Sequence, residues 1–109
     1  MKLLIAIVQD EDAGKLMTAL MNEGIGVTKL ATTGGFLKAG NTTLLTGVEI
    51  EKLDKAMEII EKICKSRKQI STAPSPVSNS AGGYLPFPVE VVVGGATVFV
   101  LDVDQFKKF

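Results

Sequence analysis

Histidine and tryptophan are absent from this chain, cysteine occurs once, and the twelve basic residues cancel the twelve acidic ones. Without histidine, the commonest general base and the commonest metal ligand are both missing. With Cys64 alone there is no internal disulfide, and a reducing, cytoplasmic setting is the expectation. Charge neutrality argues against polymeric nucleic acid or a membrane surface as the partner, while leaving room for a local basic site. No apolar run approaches the length that spans a bilayer, so no membrane insertion is expected. The opening "MKLLIAIVQDED" is apolar only briefly, and acidic residues follow where a signal peptide would carry a small-residue cleavage site.

What is present suffices for a core. Hydrophobic residues make up 46 % of the 109 positions, and the size fits a single domain over residues 1–109. The mean hydropathy of +0.29 is positive for so short a chain, which points to apolar surface covered by another subunit. Leu3–Val8 reads as a strand buried on both faces. Asp10 or Asp12 caps the helix that follows, with Ala13, Leu16, Met17 and Leu20 on its apolar face and Gly24 at its stop. Val27–Thr33 and Thr42–Ile50 read as two further strands. Glu51 to about Arg67 forms the clearest helix, with Leu53, Ala56, Met57, Ile60, Ile63 and Cys64 as its stripe. "KQISTAPSPVSNSAGGYLPFP" holds all four prolines and predicts a long loop at about 68–88, within which Gln69–Ser71 can pair briefly. "VEVVVGGATVFVLDV" predicts a hairpin around Gly94–Gly95, and the tail "DQFKKF" one helical turn against a neighbour. The order β-α-β-β-α-β plus a terminal strand predicts an α+β, ferredoxin-like (split βαβ) fold with an extra C-terminal strand.

A short loop at about 34–41 lies between the second and third strands. Gly35–Thr42 reads "GFLKAGNT", one residue short of a Walker A pattern, but Asn41 occupies the lysine position and a strand follows where that motif needs a helix. Nucleotide hydrolysis is therefore excluded, and the glycine spacing also fails a dinucleotide fingerprint. Two readings of the loop fit the residues. Thr28, Thr32, Thr33, Asn41, Thr42 and Thr43 offer neutral hydrogen-bonding groups, Phe36 a stacking face, and Lys29 and Lys38 local charge, as a nucleotide site requires. A plain hairpin loop whose Phe36 and Leu37 pack on the next subunit fits as well. Cys64 reads as a buried, inert thiol. Asp10, Glu11 and Asp12 read as a cap and a solvated first turn. No catalytic constellation emerges, and the expectation is that this is not an enzyme.

Together "IAIVQD", "TKLATTGGFLKAGNTTLLTGV" and "PFPVEVVVGGATVFVLDVDQF" resemble the cyclic di-AMP receptor family of PII-like proteins over essentially the whole chain. The resemblance implies a homotrimer of ferredoxin-like, PII-like subunits that binds cyclic di-AMP between neighbouring subunits, with no cofactor and no enzymatic activity; the loops at about 34–41 and 68–88 are expected to respond to the ligand and so to signal to an unknown downstream protein. It implies that Phe36 stacks an adenine beside Leu37 and that Thr28 and Asn41 hydrogen-bond base or phosphate. Backbone at Gly35 and Gly47 closes on the ligand, and Phe99 contributes from the adjoining wall. Relatives can carry an arginine where this chain has Gly26 and a glutamine where it has Lys108, so the expectation is either that Lys29 or Lys38 compensates or that affinity is lower, with Lys108 restoring some charge if the tail reaches the pocket. The alternatives are a PII-type sensor of ATP or another nucleotide, and a structural trimer with no small ligand.

Overall fold

The structure, a computed structural model, describes residues 1–30, 40–74 and 86–109. In chain order the elements are β1 (Lys2–Gln9), α1 (Asp10–Asn22), β2 (Thr28–Lys29), β3 (Asn41–Val48), α2 (Ile50–Cys64), β4 (Arg67–Pro74), β5 (Pro86–Val93) and β6 (Ala96–Asp102). Four strands form one sheet in the order β2-β3-β1-β6, every neighbouring pair antiparallel. β1 and β2 are therefore parallel to each other across β3, with α1 as the connection, and β3 and β6 are parallel across β1. The result is an α+β fold built from βαβ units around an antiparallel sheet.

Both helices pack on the same face of this sheet. Leu4, Ala6 and Val8 of β1 meet Ala13, Leu16 and Leu20 of α1 and Ala56, Ile60 and Cys64 of α2, with Leu44 and Val48 of β3 completing the core. The stripes expected on both helices are thus the buried ones, with Met17, Leu53, Met57 and Ile63 packed at the margin. β1 departs from the expectation of a strand buried on both sides. Its burial alternates, and Leu3, Ile5 and Ile7 remain only half-buried because, among the described residues, no helix covers their face.

Other boundaries move for local physical reasons. Ile50 opens α2 rather than ending β3, and Arg67 belongs to β4 rather than to the helix. The N-cap residue of α1 is Gln9, with no side-chain capping bond, so neither Asp10 nor Asp12 caps it. Asp10 accepts instead from the Thr42 hydroxyl, and Asp12 is buried at 1 % exposure. The second strand is short: Thr28–Lys29 pair with β3, Leu30 adds one N–H to Thr43 O at 3.0 Å, and Ala31–Thr33 lie outside the described residues.

The largest revision concerns the last third of the chain. Residues 68–74 and 86–88, expected within a long loop, are strand: β4 and β5 pair along their full length, Arg67 with Val93 through Pro74 with Pro86. Residues 75–85 lie outside the described residues. Gly94–Gly95 does not turn a hairpin, because β5 pairs with β4 whereas β6 pairs with β1. Both glycines have positive φ, at +84° and +97°, and redirect the chain from the ribbon into the sheet. A Cβ at Gly94 would lie 2.5 Å from Arg67 Nη1 and 2.7 Å from Lys65 O, so the junction is closed to any side chain. The C-terminal strand is thus the edge of the main sheet, and the additional element is the β4–β5 ribbon. With it, the chain measures 64 × 30 × 20 Å with a radius of gyration of 18.4 Å, against about 13 Å for a compact domain of this length. After Asp102 the tail adopts no regular structure, contrary to the expected helical turn.

Candidate ligand-binding face

Strand register decides which expected site residues share a surface. The helix-free face carries the residues that alternate with the core: Leu3, Ile5, Ile7 and Gln9 on β1, opposite Gly47, Leu45, Thr43 and Asn41 on β3. Leu101, Phe99 and Thr97 of β6 lie opposite Leu3, Ile5 and Ile7, while Thr28 of β2 lies opposite Leu45. Thr28, Asn41, Gly47 and Phe99 therefore all belong to this one face. Lys29 aligns with the core residue Leu44, so it has the opposite parity, and it is exposed at the sheet margin. Gly35, Phe36 and Leu37, together with Lys38, lie outside the described residues.

Sharing a face is not the same as converging on one point. Thr28 and Gly47 line a common cavity of about 330 Å³, together with Gly26, Leu45, Val103 and Phe106. Asn41 lines another, of about 360 Å³, with Ile7, Gln9, Thr97 and the Gly94–Gly95 backbone. Volumes of this order suit small ligands. Phe99 stands three strand spacings from Thr28, about 14 Å. It is 53 % exposed, so it is not filling its own protomer's core. At Gly26, an added Cβ would meet nothing within 4 Å.

Two hydroxyl contacts tie this face to its frame. Thr46 donates to Gly26 O, fixing the approach to β2, and Thr42 donates to Asp10 Oδ1 across the start of β3. Among the described residues, no buried side-chain nitrogen or oxygen lacks a partner. At the far edge Lys2 pairs with Asp102, and the lysine's hydrogen bond and charge hold that exposed carboxyl below its usual range.

One constellation went unread in the sequence. Arg67 Nη2 donates to Asp12 Oδ1 at 2.8 Å and Nη1 to Oδ2 at 3.3 Å, a two-pronged pair joining the first turn of α1 to the root of β4. The Asp12 hydrogen bond holds the guanidinium protonated even more firmly than in an ordinary arginine. Asp12 is therefore not part of a solvated turn. A signal was available, since Arg67 is the sole arginine among the twelve basic residues, and a planar guanidinium suits a forked carboxylate contact better than lysine does. Cys64 is fully buried beside this pair, as expected. Its thiol is pushed up to about 11 by burial first and the Asp12 charge second, with Arg67 opposing.

Comparison with known proteins gives this face a context. Residues 1–109 match the family described as Cyclic-di-AMP receptor, and the chain belongs to that family. It is also similar to a crystal structure of a functionally unknown protein from Pediococcus pentosaceus ATCC 25745. The two are 44 % identical with a TM-score of 0.77, over 99 % of this chain and 96 % of that one. Among the described residues, no helix is long and apolar enough to cross a membrane.

Proposed function

We propose that the protein is a PII-like signal receptor that binds cyclic di-AMP in clefts between the ferredoxin-like subunits of a homotrimer. The observation that carries this reading is the helix-free sheet face of a cyclic-di-AMP receptor family member, on which Thr28, Asn41, Gly47 and Phe99 all fall. That face is largely apolar and open, which favours coverage by another copy of the chain. The spacing of Thr28 and Phe99 favours a ligand held by residues from two subunits over one enclosed by a single protomer.

A cyclic dinucleotide with two adenines and two phosphodiesters needs stacking surfaces, neutral hydrogen-bond groups and modest positive charge. Phe99 and Phe36 supply the first, Thr28 and Asn41 the second, and Lys29 the third, with backbone at Gly35 and Gly47 admitting close approach and Leu37 packing beside the base. The protein acts by binding rather than by catalysis: ligand changes the surface that neighbouring segments present to a downstream partner.

Isothermal titration with cyclic di-AMP, against cyclic di-GMP, ATP and ADP, tests the reading. Selective heat with cyclic di-AMP at about one ligand per subunit is expected. Heat with ATP alone would instead make the protein a sensor of that nucleotide, and silence with all four would leave a structural assembly.

A further inference from the structure

Three sets of contacts meet at four consecutive residues, Gln9 to Asp12. Gln9 Oε1 accepts the Gly94 N–H at 2.7 Å. The Asp10 N–H donates to Gly40 O at 2.8 Å, and the Asp10 carboxylate accepts from Thr42. Asp12 receives both arms of Arg67. Gly40 and Thr42 flank Asn41, whose cavity also includes Gln9, Gly94 and Gly95. Arg67 and Gly94, in turn, stand at the two roots of the β4–β5 ribbon, where Arg67 pairs with Val93. The Gly95 N–H donates to Cys64 O and Arg67 Nη1 to Lys65 O at 3.2 Å, so the same junction is also tied to the end of α2.

β4 and β5 pack chiefly on each other. A lone two-stranded ribbon is marginal in water, so the firmness of its root governs how well ordered it is. We propose that the first turn of α1 couples the Asn41 cavity to the β4–β5 ribbon, so that a cyclic dinucleotide bound at Asn41 braces the ribbon root through Gln9, Asp10 and Asp12. This rests on the receptor reading above and names the path by which occupancy reaches the ribbon. Asp12 and Arg67 are positioning residues in it, since they lie outside the cavity and hold the root in place.

Amide hydrogen exchange of the full chain, with and without cyclic di-AMP, is the test. In the wild type, ligand is expected to slow exchange across residues 67–70 and 91–94 by about fivefold. The double variant Asp12→Asn, Arg67→Gln removes both charges together, so no buried charge is orphaned. It is expected to bind with wild-type heat but lose the slowing, whereas Arg67→Lys keeps part of it. Undiminished slowing in the double variant, or heat in the wild type with unchanged ribbon exchange, overturns the coupling. If the wild type gives no heat, the receptor reading fails and a ligand-free measurement decides the coupling on its own. Thr42→Val, which removes the hydroxyl that donates to Asp10, is expected to speed exchange at 67–70 about threefold relative to residues 98–101; an unchanged ratio overturns it. The Thr42→Val measurement also decides the matter if the double variant does not melt cooperatively.

Discussion

Gly26 lies two residues before Thr28, at the rim of the cavity that Thr28 shares with Gly47, and a Cβ added there meets nothing within 4 Å. A Gly26→Arg substitution therefore meets no obstacle at its Cβ and brings a long cationic side chain to the rim of that cavity. Affinity for cyclic di-AMP is expected to rise about tenfold, as one charge-assisted hydrogen bond provides, and to become more salt-dependent; titration at two salt concentrations reads both effects. The two junction glycines separate strain from crowding. Gly95→Ala meets no neighbour and carries only the left-handed penalty of about 1 kcal/mol, whereas Gly94→Ala adds collisions with Arg67 and the Lys65 and Cys64 carbonyls and costs about 2 kcal/mol or more. Denaturant midpoints of the two variants give that order directly. At Cys64 the raised pKa means that the folded chain favours the neutral thiol. The stability this contributes is complete below about pH 9 and is lost as pH rises towards 11, so unfolding free energy should decline across that window, and less steeply in Cys64→Ala.

Among the elements, α1 and α2 were legible from their apolar spacing because helix periodicity is local, and the buried positions coincide with the expected stripes. Truncating one of them, Leu16→Ala, empties a fully buried site and should cost about 3 kcal/mol in chemical denaturation. The ribbon was less legible. Proline, serine and glycine in residues 68–88 signal a break in helix but do not exclude an edge pairing, and the register of β4 with β5 depends on partners up to 26 residues apart. Gly94–Gly95 misled for a related reason: two positive-φ glycines suit a hairpin turn, but they equally suit a corner between sheets. The Asp12–Arg67 pair spans 55 positions, and no local pattern announces a contact that long. For the candidate site, resemblance supplied Thr28, Asn41, Gly47 and Phe99 as residues, but their common face emerges only from strand register, which no local pattern announces.

For the whole molecule, the outstanding feature is a sheet face left uncovered among the described residues, whose two helices pack on the other side. Leu3, Ile5, Leu45, Phe99 and Leu101 form its apolar part, and the proposed homotrimer would cover such a face without leaving sheet edges free to propagate. Leu101→Asp places a charge on that surface and should yield particles of the 11.6 kDa protomer mass in light scattering, with binding of cyclic di-AMP lost alongside assembly. The most direct measurement is native mass spectrometry of the wild-type protein titrated with cyclic di-AMP. A particle of three protomers that takes up one ligand per protomer, and none of cyclic di-GMP, is the predicted result. Ligand on an isolated protomer would contradict the inter-subunit site, and a three-protomer particle that takes up no cyclic di-AMP would contradict the receptor function itself.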